Sequence, residues 1–577
     1  MTASQNIQTL ERCKAAWFLP ALMMLASPEF ASAQDYSIAT NAGSVTITRY
    51  GGPGGAVNVP AMIDGLPVTS IGEAAFAFNY GVTSVTIPNS VTNIGQLAFI
   101  SCTGLTNLFI SAGVVNLGEL FVKNCNALQA ISADTNNPVF SAANGVLFDK
   151  LQTALVQYPP GRAGGAYAVP GTVRTIGSGA FFDCPTLTNV SLPAGLLDIE
   201  DSAFSGCANL TGILIPNSVT NVGTGAFSGC TGLGQAVLPN SIVSLGAQAF
   251  LQCSGLTNVV MGNGVNGVGT SAFSGCTSLA SVTLGNAVAD LGDDAFFDCT
   301  ALAAISLDSS LTNIGAAAFT YCFDLPGLAI PNGVRTIGSQ AFWYCSSLTT
   351  VNLPASVAGI GDRVFEFCDN LTALTVDPAN PAYYSADGVL FEQRSARLLQ
   401  YPANKPLASY AIPPGTADIA DTAFVSAYNL TSVTLPASVT NIETLAFYDC
   451  VDVNGFFFEG NSPSLGNNVF TLDNAATVYY LPGTTTWGPT FGGLPTSPWD
   501  PRIQPAAAHL NDPANASAFG FSVAGTTNIP VVVEASTNLG AGPWVVLQST
   551  TLTNGVLNFS DPAWTNFPGR FYRIRSP

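Results

Sequence analysis

The sequence predicts a mainly β fold: a solenoid of 23-residue units with stacked parallel strands, followed by a small C-terminal antiparallel β-sandwich. Three observations lead there. Phe181, Phe204, Phe227, Phe250, Phe273, Phe296, Phe319, Phe342 and Phe365 lie 23 residues apart, and so do Cys184, Cys207, Cys230, Cys253, Cys276, Cys299, Cys322, Cys345 and Cys368. Within each unit a segment such as LTTVNL, Leu348 to Leu353, alternates apolar with small polar residues and stops at Pro354, as a strand with one buried face does. Beyond about residue 500 the period is lost, and short alternating runs separated by turn signals replace it.

In chain order, the first element is not part of the fold. Arg12 and Lys14 precede the apolar run AAWFLPALMMLA and then ASA at Ala31 to Ala33, the pattern of a secretory signal peptide (1–33) cleaved after Ala33. That run of 12 residues is too short to span a bilayer, and no later stretch approaches about 20 uninterrupted apolar residues, so no transmembrane segment is expected in the mature chain. Cap strands are expected over 34–70 and the repeat array over 71–500.

The unit reads I-G-x-x-A-F-x-x-C-x-x-L-x-x-V-x-L-P-x-S-V-x-x, and its register extends upstream to Phe76, Phe99 and Val122 and downstream to Phe424, Phe447 and Phe470. Stacked at about 4.8 Å, the nine regular units alone span roughly 40 Å. The segment S-V-x-x-I-G-x-x-A-F returns the chain across the other face, and its recurrent Gly serves either an unusual backbone angle or close approach of neighbouring coils. Between Val122 and Phe181, and between Phe365 and Phe424, the step is 59 rather than 23, so each gap holds one unit plus 36 residues. The inserts, about 132–167 and 377–412, resemble each other: NPVFSAANGVLFDKLQTALVQYPPG against NPAYYSADGVLFEQRSARLLQYPAN. Each is expected to form a pair of short strands around a polar turn.

This unit, the paired inserts and the closing segment TVYYLPGTTTWGPTFGG resemble the BspA-like, Treponema-type leucine-rich repeat family of bacterial surface proteins over roughly residues 36–499. Departures are local: Val122 replaces the Phe, Asn79 and Ala427 replace the Cys, and Glu443 replaces the Gly. The resemblance implies a secreted or cell-surface protein engaged in adhesion or ligand capture. Residues 501–518, rich in Pro, Ala and Asn, are expected to be a linker, and 519–577 the β-sandwich. That module resembles the terminal β-module of secreted proteins from environmental bacteria.

Composition narrows the function. Only 9% of residues are charged, and the net charge of −19 argues against a nucleic-acid partner, which needs clustered Lys and Arg. Cys13 lies in the signal peptide, and the other twelve cysteines share one repeat slot, so they are expected to be a structural ladder of buried thiols. Disulfides between neighbouring coils are the alternative in an oxidising compartment. The single histidine, His509, excludes a His-based triad or a multi-histidine metal site within one chain, and neither a G-x-S-x-G elbow, a P-loop nor EF-hand spacing occurs. No cofactor or metal is expected and no catalysis, with a glycan-active enzyme using paired carboxylates as a distant alternative.

The strand face offers small uncharged outward positions, such as Ser281 and Thr283 or Thr350 and Asn352, and lacks the Trp, Tyr and Arg that usually anchor partners. The two residues between Phe and Cys differ from unit to unit. They are Ser-Gly in three units but Phe297-Asp298, Thr320-Tyr321, Trp343-Tyr344 and Glu366-Phe367 in four successive later ones. Tyr321, Tyr344 and Phe367 share a slot and should stack about 5 Å apart, with Trp343 and Glu366 alongside. These five residues are the candidate ligand site, for an extracellular protein or glycan; packing over the coil edge is the competing explanation. A spacer or envelope scaffold without a specific ligand is the alternative to a binding protein.

Overall fold

The structure, a computed structural model, describes residues 35–473, 475–509, 519–539 and 543–576. The signal peptide and its expected cleavage site lie outside the described residues.

Each unit makes one coil with two strand segments. On one face, Thr350–Leu353 pairs in parallel with Ala373–Val376, Val351 opposite Leu374, a step of one repeat. Val351 and Leu353 are buried while Thr350 and Asn352 are exposed, so the alternation in the sequence is the alternation of inside and outside. On the other face two-residue strands stack, Thr336–Ile337 on Gly359–Ile360, in a sheet of twelve strands that runs from Phe140–Ala143 to Gly359–Ile360.

A third side, the Gly-x-x-Ala-Phe-x-x-Cys edge, is held from coil to coil by every second backbone N–H. Those of Gln340, Phe342 and Tyr344 donate to the carbonyls of Asp362, Val364 and Glu366 at 2.9, 3.0 and 3.0 Å. Two residues per edge are left-handed, here Gln340 (φ 60°) and Tyr344 (φ 57°). The recurrent Gly is not one of them. A Cβ on Gly338 would lie 2.4 Å from the Ala316 nitrogen and 2.6 Å from the Gly315 carbonyl carbon, so close approach of coils explains it.

The Phe rings form a buried column. Centroids are 4.8 Å apart for Phe181 and Phe204 and 5.7 Å for Phe342 and Phe365, with planes within 10° along that run. Each buried ring contributes roughly 1.5–3 kcal/mol of hydrophobic stabilisation.

The inserts interrupt the interior. Three successive clusters of buried apolar residues run from Tyr36 to Leu147, from Val146 to Leu390 and from Val389 to Leu494, and the boundaries fall on the inserts. Each insert adds an antiparallel set, Phe140–Ala143, Val146–Asp149 and Ala154–Gln157 in the first and Tyr383–Ala386, Val389–Glu392 and Arg397–Gln400 in the second. The third strand carries the missing unit: Tyr158 stacks on Phe181 and Tyr401 on Phe424, both at 5.0 Å, in the Phe column.

Each insert is pinned by one buried Asn. Asn380 Nδ2 donates to the carbonyls of Pro354 and Val357 at 2.9 and 3.0 Å, and Oδ1 accepts from the N–H groups of Ala382 and Tyr383. Asn137 does the same with Ser111, Val114, Val139 and Phe140. A buried amide with all four bonds made fixes the insert without an unsatisfied group.

The C-terminal module has two three-stranded antiparallel sheets: Arg502–His509, Phe519–Ala524 and Val556–Asp561 in one, Val545–Thr551, Pro530–Ser536 and Phe571–Arg575 in the other. Arg502–His509 is therefore an edge strand where the sequence led us to expect linker, and residues 510–518 of that linker lie outside the described residues. An edge strand tolerates Pro505 because it pairs on one side only. The module also packs on the solenoid. Phe457 and Tyr479, outward-pointing on the last strands, share a cluster with Phe521, Val523 and Val531, and Trp499 Nε1 donates to the Pro530 carbonyl at 2.9 Å.

Candidate ligand-binding edge

The slot before each Cys is left-handed throughout the array. Gly206, Gly229 and Gly275 fill it at φ 72–77°, and Asn124, Asp183 and Asp298 at 51–59°. These are the residue types that tolerate the conformation. Tyr321 (φ 62°), Tyr344 (57°) and Phe367 (57°) fill the same slot with bulky rings, each held there against a cost on the order of 1 kcal/mol. The hydrogen bonds from Tyr321 N to the Trp343 carbonyl and from Tyr344 N to the Glu366 carbonyl lock the backbone.

Because the slot repeats, the rings stack. Tyr321 and Tyr344 are 5.3 Å apart at 32°, and Tyr344 and Phe367 are 4.5 Å apart at 22°. Trp343 stands edgewise to this stack, 4.7 Å from Tyr344 at 80° and 5.2 Å from Tyr321. Phe297 and the exposed Phe323 extend the cluster around Tyr321. Trp343 and the three stacked rings are all half-buried. Both faces of the Tyr344 ring are taken by its neighbours, so the stack offers ring edges and hydroxyl tips rather than an open flat face.

Glu366 differs from its expected position beside the rings at the surface, being 4% exposed. Glu366 is turned inward, as Thr320 is with 1% exposure, whereas Trp343, in the same slot of the coil between them, stays half-buried. Burial pushes the Glu366 carboxyl up to about 7, against the opposing pull of Arg363, whose Nε lies 3.9 Å away. Trp343 Nε1 is near enough to favour the carboxylate, but neither it nor Glu366 Oε2 makes a hydrogen bond of normal geometry.

Beside this edge the second insert is cross-braced by charge. Arg363 Nη2 meets Asp421 Oδ2 at 2.8 Å across the insert, and Arg397 pairs with Asp418 and Glu443. A cavity of about 80 Å³ lies between them, lined by Arg363, Tyr383, Glu392, Arg397 and Asp421 among others. Of the lining acids, Asp421 is tied to Arg363 and Glu392 accepts from the Ser395 hydroxyl, and the arginine pairs brace one coil against the next. Among the described residues no group of three or more His, Cys, Asp and Glu is placed to hold a metal ion.

The cysteine ladder lies behind the edge. All twelve described thiols are free and buried, and eleven donate to a coil-preceding Phe carbonyl. Cys345 Sγ, for example, lies 3.1 Å from the Phe319 oxygen. Burial raises Cys102 and Cys253 to about 12 and pushes Cys345 up as well. The bond from thiol to carbonyl was missed in the sequence, as were the two pinning Asn residues. The left-handed slot was missed as well, although the Gly, Asp and Asn that often precede Cys were a signal of it.

The model of the BspA type Leucine rich repeat region matches in six copies over residues 65–144, 166–280, 268–382 and 402–489, more than half of the chain. A leucine-rich repeat protein from Bacteroides ovatus is 19% identical, covering 81% of this chain and 98% of its own with a TM-score of 0.45. A leucine rich cell surface protein from Faecalibacterium prausnitzii is 28% identical, with coverage of 61% and 96% and a TM-score of 0.41. A leucine-rich repeat protein from Treponema pallidum is 22% identical, with coverage of 52% and 91% and a TM-score of 0.20. A search of curated proteins finds no match. With its 23-residue coils and this family match across most of the array, the chain belongs to the BspA-type leucine-rich repeat family.

Proposed function

We propose that this chain is a secreted or cell-surface, non-catalytic binding protein whose contact surface is the aromatic edge of Tyr321, Trp343, Tyr344 and Phe367, with Glu366 beneath it. The supporting observation is the left-handed backbone of three successive bulky rings. A slot that Gly fills without strain carries Tyr, Tyr and Phe in three adjacent coils, and strained residues cluster at functional sites. Trp and Tyr are also the residues that concentrate binding energy in protein interfaces. Because the stacked rings present edges and hydroxyls, the edge suits a protein partner better than a sugar lying flat on a ring. Among the described residues no helix is long and apolar enough to cross a membrane.

The test is an array of purified extracellular proteins and glycans probed with the chain from Gln34 onward and with the double variant Trp343→Ser, Tyr344→Gly. The wild type is expected to bind protein spots saturably, and the variant to lose at least about tenfold in affinity, the effect of a hot spot of about 1.4 kcal/mol or more, while keeping its unfolding temperature. Equal binding by the two proteins would refute the assignment. A spacer without a ligand is favoured by one observation, the small outward residues of the strand face, and predicts no saturable binding at all.

A further inference from the structure

The charges along this edge are unevenly placed. In the three coils whose edges run 224–232, 247–255 and 270–278 there is no Asp, Glu, Lys or Arg. From the next coil onward acids accumulate: Asp293, Asp294, Asp298, Asp324, Asp362, Glu366 and Asp369, then Asp421, Asp449 and Asp452 beyond the insert. The one cation of these later edges, Arg363, is engaged by Asp421 and Glu366.

Four of the acids frame the rings. Asp298 precedes Tyr321 in the ring slot, and Asp449 occupies that slot beyond the insert. Asp324 and Asp369, both exposed, follow the Cys in the coils of Tyr321 and Phe367. Tyr428, 41% exposed, donates its hydroxyl to Asp449 at 2.6 Å and adds a further ring. Burial and the charge of Asp449 both push Asp369 up, so these carboxylates repel one another with no free cation between them.

Resting on the reading of the edge as a contact surface, we infer that its partner is a protein presenting a basic segment, whose Lys or Arg side chains meet Asp298, Asp324, Asp369 and Asp449 while their aliphatic stems lie along the ring edges. Lys and Arg carry apolar stems that cover hydrophobic surface while the charged head reaches a carboxylate. Complementary charge of this kind raises the association rate and selects the partner, and it weakens with salt.

The test uses the chain from Gln34 onward and a fluorescein-labelled peptide of alternating Lys and Gly, with Ser-Gly and Glu-Gly peptides of equal length as controls, by fluorescence anisotropy. One variant replaces the framing acids, D298N/D324N/D369N/D449N, Asn being suited to the left-handed positions 298 and 449. A second, D64N/E73Q/E119Q/D290N, removes the same number of exposed acids elsewhere. The wild type is expected to bind the Lys-Gly peptide saturably, at least about tenfold more tightly than the other two peptides, with affinity falling steeply between about 20 and 300 mM salt. The edge variant should lose about tenfold and the distant one less than about threefold, a difference of roughly 0.7 kcal/mol or more. Equal loss in both variants, or no saturable binding of the Lys-Gly peptide, overturns the inference. Retained array binding by the Trp343→Ser, Tyr344→Gly protein overturns the aromatic edge itself, so the two failures are distinguishable.

Discussion

Asn380→Asp puts the insert architecture to a quantitative test. The substitution keeps the shape of the side chain and the oxygen that accepts from Ala382 and Tyr383, but replaces an amide N–H₂ by an oxygen facing the carbonyls of Pro354 and Val357. Two donors are lost at a site 5% exposed, worth about 1 kcal/mol each, so about 2 kcal/mol in all. The new carboxylate is buried against two carbonyl oxygens and should titrate about 2 units above its usual 3.9, which adds about 2.7 kcal/mol once it is ionised. Its folded pKa being the higher, the folded state holds the proton more tightly, and the stability tied to that proton is lost as pH rises through the folded value. Urea unfolding followed by tryptophan fluorescence should therefore show a loss of about 5 kcal/mol at pH 8, and a loss 1 to 2 kcal/mol smaller at pH 5, each against wild type at the same pH. A loss below about 1 kcal/mol, or the same loss at both pH values, refutes the four-bond account. Asn137→Asp is expected to behave alike.

Gly338→Ala forces a Cβ to 2.4 Å from the Ala316 nitrogen and should cost at least about 2 kcal/mol, whereas at Gly359 a Cβ meets only Thr336 Cγ2 at 3.5 Å, so Gly359→Ala should be neutral or stabilising by up to about 1 kcal/mol; thermal unfolding of the pair checks both. The twelve described thiols should resist an aromatic disulfide reagent in the native protein and all react in denaturant. Since burial raises Cys345, the folded chain holds that thiol's proton above the unfolded value of about 8.5, and stability should fall with rising pH beyond that point, a decline that Cys345→Ala should make shallower by up to about 1.4 kcal/mol per pH unit. Glu366, raised to about 7, has the same sign: the stability tied to its proton is lost between about pH 4.5 and 7. Glu366→Gln should then be more stable than wild type at pH 8, by at most about 3 kcal/mol, and no more stable at pH 4.5, by urea titration.

Much of this was legible because a solenoid repeats one local problem. The period of Phe342 and Cys345 names residues that meet their own copies in the neighbouring coil, and the alternation of LTTVNL states which of them face inward. Long-range contact is thereby encoded in spacing, and even the ring stack of Tyr321, Tyr344 and Phe367 could be anticipated from a shared slot. The inserts broke that logic. Asn137 and Asn380 each act once, on carbonyls 23 and 26 residues earlier, and a non-repeated polar residue leaves no periodic trace. Arg502–His509 was obscured for another reason: Pro and Ala signal a linker by composition, while an edge strand needs partners on one side only.

By itself, then, the sequence determined the coil, its register, the buried columns and the place of the aromatic exception, since each follows from the hydrophobic period and the shape of single residues. The direction of Glu366, which lies under the edge rather than on it, was decided only by the tertiary structure, as were the closed faces of the Tyr344 ring and the coverage of Phe457 and Tyr479 by the C-terminal module. Those outcomes depend on how neighbouring side chains pack and on contacts between segments that share no period, and neither is written in the spacing of residues along the chain.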